Sequence, residues 1–218
     1  GDYRLRPYGR AGQVAYSLPA LADYYQNKAA PWEMQALLKA APIAGNVEAG
    51  LGFSGMVRSV ICQKRERAEI IGSIKKMRAA AIKTEDEIDG IDADIKNGYG
   101  GIRDIEFLVQ GLQMISAPAH PDLVNGNTLE ALSLLGRHKL LPADIVENLK
   151  ADYEFLRRVE HCLQIFEDSQ VHVLPDSEEE LRALAKRVLG FKATAEDLTG
   201  KLAECRKRVR ACFNASIA

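Results

Sequence analysis

The sequence predicts a mainly α fold, a helical bundle behind a small N-terminal β segment. Three observations predict it. Apolar residues recur in steps of three and four over long stretches, the mark of helices that bury one face. Helix starts and stops are signposted by Pro, Ser, Thr and Gly. Only one run, residues 13–17 (Gln-Val-Ala-Tyr-Ser), has β-prone composition, and with residues 3–5 it could form an edge pair.

After that run everything reads as helix. Pro19 opens a helix carrying Leu21, Tyr24 and Tyr25, and Pro31 stands at a first helical position. Ala41-Pro42 ends that second helix. A helical stretch over 47–83, with a break near Lys64-Arg65, places Ile70, Ile74, Met77 and Ala81 on one face. Six of the ten residues 85–94 are acidic without the Asp/Asn/Gly spacing of a calcium loop, so they read as a solvated linker. A helix follows over 102–115, and another begins at Thr128, taken as its cap. The longest helix, from about 142 to 167, aligns Ile145, Leu149, Tyr153, Leu156, Val159, Leu163 and Phe166. Ser177 with Glu180 makes a capping-box pattern, Gly190 stops that helix, and Thr194 with Asp197 starts the last one. Arg206, Lys207, Arg208 and Arg210 near its end suit the helix dipole and read as a solvated helix end rather than an anion site.

Composition excludes several classes. The 218 residues carry 29 Lys+Arg against 30 Asp+Glu, for a net charge of −1, with 47% hydrophobic residues. That is too apolar and too neutral for a disordered chain, and it lacks the basic excess of a nucleic-acid binder. No run of about 18 apolar residues suggests a membrane span. Cys62, Cys162, Cys205 and Cys212 form no C-x-x-C pair and sit in helical patterns, so they read as small buried hydrophobes in a reducing compartment. His120, His138, His161 and His172 form no metal spacing and read as surface or helix-flank residues. The expected location is cytoplasmic.

Two segments depart from ordinary bundle sequence. In Asp2-Tyr3-Arg4-Leu5-Arg6-Pro7, strand alternation puts Asp2, Arg4 and Arg6 on one face. A carboxylate beside two guanidiniums suits a metal and phosphate oxygens, but an ion-pair ladder on an edge strand is the commoner arrangement of such residues. The second segment runs over residues 94–110, Asp-Ile-Lys-Asn-Gly-Tyr-Gly-Gly-Ile-Arg-Asp-Ile-Glu-Phe-Leu-Val-Gln. It is neither a dinucleotide fingerprint nor a P-loop, and its glycines allow a tight approach into the helix. On that helix Arg103, Glu106, Gln110 and Gln113 make one polar stripe on an otherwise apolar surface. Such a stripe needs partners, which leaves two readings, an internal hub or the wall of a cleft. Asp104 sits in the first turn, where negative charge is favoured.

These residues carry a resemblance. Asp2-Tyr3-Arg4-Leu5-Arg6-Pro7-Tyr8-Gly9, Tyr24-Tyr25, Trp32-Glu33, Pro42-Ile43-Ala44-Gly45-Asn46 and Met77-Arg78 are similar to segments of the glutamine synthetase adenylyltransferase/adenylyl-removing enzyme family. So are Asp94-Ile95-Lys96, the block Gly100-Gly101-Ile102-Arg103-Asp104-Ile105-Glu106-Phe107, and the stretch from Phe155 to Pro175. The similarity covers nearly the whole chain in order, and the glycine-led block is its most specific part. The resemblance implies a polymerase-β-like nucleotidyltransferase domain joined to a helical domain, here residues 1–45 as the C-terminal remnant of the first and 46–218 as the second. It implies Asp2 as a catalytic, metal-holding carboxylate for Mg²⁺, and Arg4 and Arg6 as binders of the phosphates of ATP. It further implies Lys96, Gly100, Gly101, Arg103, Asp104, Glu106 and Gln110 at the junction of helical and catalytic domains.

The implied activity is metal-dependent transfer of AMP to a tyrosine of glutamine synthetase, or its phosphorolytic removal, under control of a PII-type regulator. No nucleic acid or membrane partner is implied. The chain looks more like the adenylyl-removing half, although Trp32-Glu33-Met34-Gln35-Ala36-Leu37 leans toward the other. No Gly-Ser-Asp-x-Asp pair occurs in the sequence, so the chain by itself is expected to be inactive. Met34 and Ala41 stand where the family usually has arginines. A non-catalytic helical module binding glutamine synthetase or a PII-type protein is the alternative.

Overall fold

A computed structural model describes residues 6–83, 93–167 and 172–217. Among the described residues the chain is helical, without a β-sheet. In order the helices are α1 (Leu18–Asn27), α2 (Pro31–Leu37), α3 (Val47–Ile61), α4 (Arg67–Lys83), α5 (Ile102–Ser116), α6 (Thr128–Arg137), α7 (Ala143–Glu167), α8 (Glu178–Leu189) and α9 (Ala195–Ser216). Short 3₁₀ turns occupy Gly9–Ala11 and Pro121–Leu123. The mainly α prediction holds. The break near Lys64-Arg65 is the gap between α3 and α4, where the Arg65 guanidinium closes the end of α3 by donating to Val60 O at 2.9 Å.

The strand expected at 13–17 does not form. Its backbone is tied locally instead. Gln13 N donates to the Tyr16 hydroxyl at 2.9 Å, and that hydroxyl donates to Pro7 O at 3.2 Å. Ser17 then caps α1, accepting from Ala20 N. Val14 is 71% exposed, so the run has no apolar face to bury, and short-range side-chain bonds win over a ladder. The other half of the expected edge pair, residues 3–5, lies outside the described residues, as do residues 85–92 of the acidic stretch 85–94.

The caps explain where the helices begin. Asn127, not Thr128, caps α6: its Oδ1 accepts from Leu129 N and Glu130 N at 3.0 and 3.2 Å, and Thr128 is the first helical residue. Ser177 accepts from Glu180 N, and Thr194 with Asp197 closes a reciprocal capping box. Gly190, at φ +114°, ends α8.

The chain divides into two compact units, one of Gly1–Ile74 with Gln110–Leu140, the other of Lys75–Val109 with Leu141–Ala218. In the first, α1 and α2 pack on α3, with Tyr24, Met34, Leu37, Val57, Val60 and Ile61 buried. In the second, α7, α8 and α9 pack as a three-helix layer around Leu149, Leu156, Val159, Leu184, Leu198 and Val209. The stripe predicted for the longest helix supplies much of this core: Leu149, Leu156 and Val159 are essentially inaccessible.

Removing buried atoms leaves a cavity that a close-packed interior does not refill. Leu156→Ala is therefore expected to lower unfolding free energy by about 2–5 kcal/mol, and Ile165→Ala on the exposed side of the same helix by less than about 0.5 kcal/mol. Urea denaturation followed by circular dichroism measures both, and equal losses would contradict the assignment of the α7 core face.

Candidate functional site

The glycine-led block forms the most elaborate polar structure of the second unit. It begins at Asp94, whose Oδ1 accepts from Lys96 N and Asn97 N at 2.7 and 2.8 Å and so makes an Asx turn. Beside it, Ile95 N donates to His172 O at 2.9 Å and Leu174 N to Ala93 O at 3.0 Å, around an antiparallel bridge between Asp94 and Val173. The chain then folds back, so that Ile102 N and Arg103 N donate to Ile95 O and Lys96 O. Two glycines make this possible. Gly100 has φ +72°, and a Cβ there would lie 2.1 Å from Arg206 O on α9. At Gly101 a Cβ would meet Ile95 O at 2.6 Å. The tight approach expected of these glycines is thus onto the backbone of α9 and onto the loop's own carbonyls.

A buried ion pair holds the turn closed. Asp104, 1% exposed, and Arg78, 5% exposed, pair directly through Nε and Oδ1, and Arg78 Nη2 donates to Oδ2 at 3.3 Å. The same carboxylate accepts from Gly100 N at 2.7 Å. Arg78 also donates to Asn97 O at 2.7 Å and to Gly98 O at 3.1 Å. Tyr99 lies against both Arg78 and Arg210, whose guanidinium carbons stand 5.3 and 3.7 Å from the ring centre. Arg206 Nε donates to Tyr99 O at 2.8 Å. Asp104 therefore does more than complement a helix dipole.

Lys96 belongs to a neighbouring charge cluster. Its ammonium stands 3.2 Å from the buried carboxylate of Glu160, which also pairs with Arg157 at 2.6 Å and faces His172 Nδ1 at 3.4 Å. His172 Nε2 lies 3.3 Å from Lys96 Nζ. Burial first, and Lys96 next, push the His172 imidazole below its ordinary value. A neutral ring can accept from Lys96 at Nε2, while Nδ1 and Glu160 Oε1, both buried, face each other without a hydrogen bond.

The polar stripe on α5 resolves into an internal hub. Arg103 Nε donates to Asn97 Oδ1 at 3.0 Å, and Glu106 Oε1 accepts from the Tyr153 hydroxyl at 3.1 Å. In the first unit, Gln110 Oε1 accepts from Gln35 Nε2 at 2.5 Å. There Gln113 Nε2 donates to Leu123 O and Asn125 O.

Of the residues expected to handle metal and phosphate, Asp2 and Arg4 lie outside the described residues. Arg6, in the first unit, donates through Nε to Gly9 O at 3.0 Å and through Nη2 to Arg10 O at 3.3 Å. It lines a cleft of about 200 Å³ with Tyr25, Trp32, Ala36 and Lys39. The wall is held by a relay in which Tyr8 N donates to the Tyr24 hydroxyl at 3.4 Å and that hydroxyl donates to Glu33 Oε1 at 2.7 Å. Glu33 Oε2 accepts from Ala30 N. Desolvation, and then Glu33, raise the Tyr24 phenol above its ordinary value. Met34 is 4% exposed and serves the core, which accounts for an apolar residue at that position, whereas Ala41 is at the surface.

Reasoning from residues gave no role to Arg78, Glu160 or the inward-facing His172. A signal for Arg78 existed: it continues the buried Ile70–Ile74 line by one further step of four, and a charge on an apolar stripe needs a buried partner. Among the described residues no group of three His, Cys, Asp or Glu side chains converges to hold a metal, and no helix is long and apolar enough to cross a membrane.

Comparison with known proteins gives two family matches. Residues 70–217 match the family model described as GlnD PII-uridylyltransferase, and residues 1–56 the one described as glutamate-ammonia ligase adenylyltransferase. The chain is 39% identical over 212 residues to the bifunctional glutamine synthetase adenylyltransferase/adenylyl-removing enzyme of Nitrosococcus oceani, covering 97% of this chain and 22% of that protein. It is 36% identical to the Pseudomonas aeruginosa protein of the same name, over 89% of this chain and 20% of that one. For the Methylococcus capsulatus protein the figures are 35%, 100% and 23%. The chain spans about a fifth of the length of these relatives.

Two outcomes test the buried clusters. Arg78→Met leaves the Asp104 carboxylate buried and without its guanidinium and is expected to cost about 3–5 kcal/mol, whereas Arg78→Met with Asp104→Leu recovers only part of it, because Asn97 O, Gly98 O and Gly100 N stay without partners. A single-variant loss indistinguishable from a surface substitution would refute the pair's importance. For His172 the folded ring resists the proton that the unfolded chain accepts. Its contribution to stability is therefore present above the ordinary value of 6.5 and lost as pH falls below it. Urea midpoints across that range should drop in the native chain and flatten in His172→Gln.

Proposed function

The chain belongs to the glutamine synthetase adenylyltransferase/adenylyl-removing enzyme family, and from that premise we propose that it joins the end of a nucleotidyltransferase domain, residues 1–45, to a helical body, residues 46–218. In the parent protein the two act in metal-dependent AMP transfer to a tyrosine of glutamine synthetase, or in its phosphorolytic removal. The removing half is the better match on the motifs quoted above. A PII-type protein is the proposed regulator, the nucleotide is ATP or tyrosine-bound AMP, and the compartment is the cytoplasm.

The observation that carries this reading is that relatives bearing one name match this chain over 97–100% of its length, from the arginine-proline segment through the glycine-led block. Arg4 and Arg6 are proposed to hold phosphate oxygens. For the metal, the donor set available here is one carboxylate, Asp2. The described residues offer no further cluster that fits Mg²⁺, so the remaining carboxylates have to come from elsewhere in the parent. Lys96, Gly100, Gly101, Arg103, Asp104, Glu106 and Gln110 are proposed as positioning residues. Gln110 pairs with Gln35 of the 1–45 segment and the others are engaged within residues 46–218, which suits a rigid seat for the catalytic domain better than direct contact with substrate.

A second reading, a non-catalytic module that docks on glutamine synthetase or a PII-type protein, is favoured by one feature. Ile43, Val47 and Leu51 are 97%, 77% and 69% exposed around the start of α3. Capture of glutamine synthetase by the chain, unaffected by Asp2→Ala, would support it.

The 218-residue chain alone is expected to show no turnover with glutamine synthetase, Mg²⁺ and either ATP or phosphate. In the full-length parent, Arg6→Ala should lower the rate about a hundredfold without moving the thermal midpoint, the usual effect of removing one preorganised donor to a charged transition state. An unchanged rate would remove Arg6 from the chemistry, and turnover by the isolated chain would overturn the division of labour proposed here.

A further inference from the structure

The basic residues of α9 in the second unit are not explained by the helix that carries them. None lies in its last turn, where the dipole would favour a cation. Arg208 has an internal partner, Asp152 of α7, with Nη2 and Oδ1 2.6 Å apart. Arg206, Lys207 and Arg210 stand together instead, within about one turn, where like charges disfavour one another. With Tyr99 and Ala203 they line a shallow recess of about 320 Å³. Their contacts inside the unit do not cancel their charge. Arg206 Nε donates to Tyr99 O at 2.8 Å, and the Arg210 guanidinium carbon lies 3.7 Å from the centre of the Tyr99 ring. A carbonyl and a ring face are neutral partners. Lys207 and Arg210 are exposed, and among the described residues no carboxylate pairs with either. The carboxylate that serves the loop, Asp104, is already occupied by Arg78 and the Gly100 amide.

We propose that this face of α9, with Tyr99, docks an acidic helical segment of a partner protein. Charge complementarity selects carboxylates. Arg206 and Lys207 stand four and three positions before Arg210, so the cations repeat at the pitch of one helical turn. Carboxylates at i, i+3 and i+4 on a partner helix repeat at the same pitch. Tyrosine and arginine are the residue types that anchor protein interfaces, and here they are stacked on each other at the surface, with Ala203 leaving room beside them. The recess is too open to enclose a small anion. The positive charge is also local, since the whole chain stands at −1, which suits a short acidic contact rather than a run of phosphates along a nucleic acid. This docking face does not depend on the AMP-transfer reading, and either can fail alone.

The probe is a fluorescein-labelled helical peptide of about 16 residues, built of alanine with glutamates at i, i+3 and i+4, beside its glutamine counterpart. Anisotropy is followed as the 218-residue chain is added, with circular dichroism to confirm that each variant keeps its helicity. The glutamate peptide is expected to bind saturably below about 1 mM, to weaken about tenfold between about 50 and 300 mM salt, and to outcompete the glutamine peptide. Lys207→Glu with Arg210→Glu should abolish binding. Lys207→Gln, which disturbs no contact of the loop, should weaken it about threefold, the measure of one exposed ion pair. Arg182→Glu with Lys192→Glu makes the same change in net charge at two other exposed cations and should leave binding unaltered. Absence of binding, equal binding of the glutamine peptide, or binding that survives Lys207→Glu with Arg210→Glu overturns the docking face. Tighter binding of a single-stranded oligonucleotide of equal charge replaces the protein partner with a nucleic acid. Binding that appears only when Glu85, Asp86, Glu87 and Asp89 are changed to their amides assigns the face to the chain's own acidic stretch and overturns the partner.

Discussion

The second unit depends on the Arg78–Asp104 pair. A guanidinium and a carboxylate taken out of water lose several kcal/mol of solvation each, and only dense hydrogen bonding offsets that loss. Here the density is present. Arg78 serves the Asp104 carboxylate and the carbonyls of Asn97 and Gly98, while Asp104 also takes the amide of Gly100. The pair thus joins three things: α4, which carries Arg78, the first turn of α5, which carries Asp104, and the loop between 97 and 100. An apolar replacement of similar volume could fill the space, but it would leave those loop carbonyls and the Gly100 amide without partners. The geometry of the loop, rather than raw stability, is what the charges supply.

Once the loop is fixed, the neighbouring features follow. Gly100 can lie on the backbone of α9 because it has no Cβ, and this contact brings Tyr99 under Arg210 and its carbonyl to Arg206. The basic residues of α9 expected to serve its end dipole lie before its last turn, which holds none, and Arg206 and Arg210 close over the loop instead. The Asx turn at Asp94 sets the register of the segment against residues 172–174, which brings His172 to Glu160 and Lys96. The buried Glu160 carboxylate is thereby enclosed by Lys96, Arg157 and the His172 ring.

How much of this was legible in the sequence depended on the range of the interaction. The long stripe of α7, the Pro31 start, the Gly190 stop and the Thr194–Asp197 box are local signals, and each appears where its residues put it. Errors arose where two local signals competed. At residues 13–17 strand propensity lost to the Tyr16 hydroxyl, which serves two backbone groups at once, and at 127–128 the better acceptor geometry of Asn127 displaced Thr128 from the cap. The α5 stripe announced that partners were needed but not which ones. Gln35, Tyr153 and Asn97 stand 75, 47 and 6 positions away from their partners, and only the fold brings the first two near. The metal and phosphate roles of Asp2 and Arg4 came from resemblance, and they remain part of the proposal.

The division between engaged and available polar groups bears on where chemistry can occur. A guanidinium whose donors already meet a carboxylate and two carbonyls, as in Arg78, has little left to offer a ligand, and the buried Glu160 carboxylate is enclosed by Lys96, Arg157 and His172. The motif most specific to the family is therefore a scaffold by its own hydrogen bonding. Aromatic faces open to solvent and a cation fixed by backbone carbonyls meet instead around α2, where small residues next to Trp32 keep space empty that a leucine would fill. In a helical protein, where backbone groups within the helices pair with one another, recognition falls to such side chains at helix ends and in the loops that precede them.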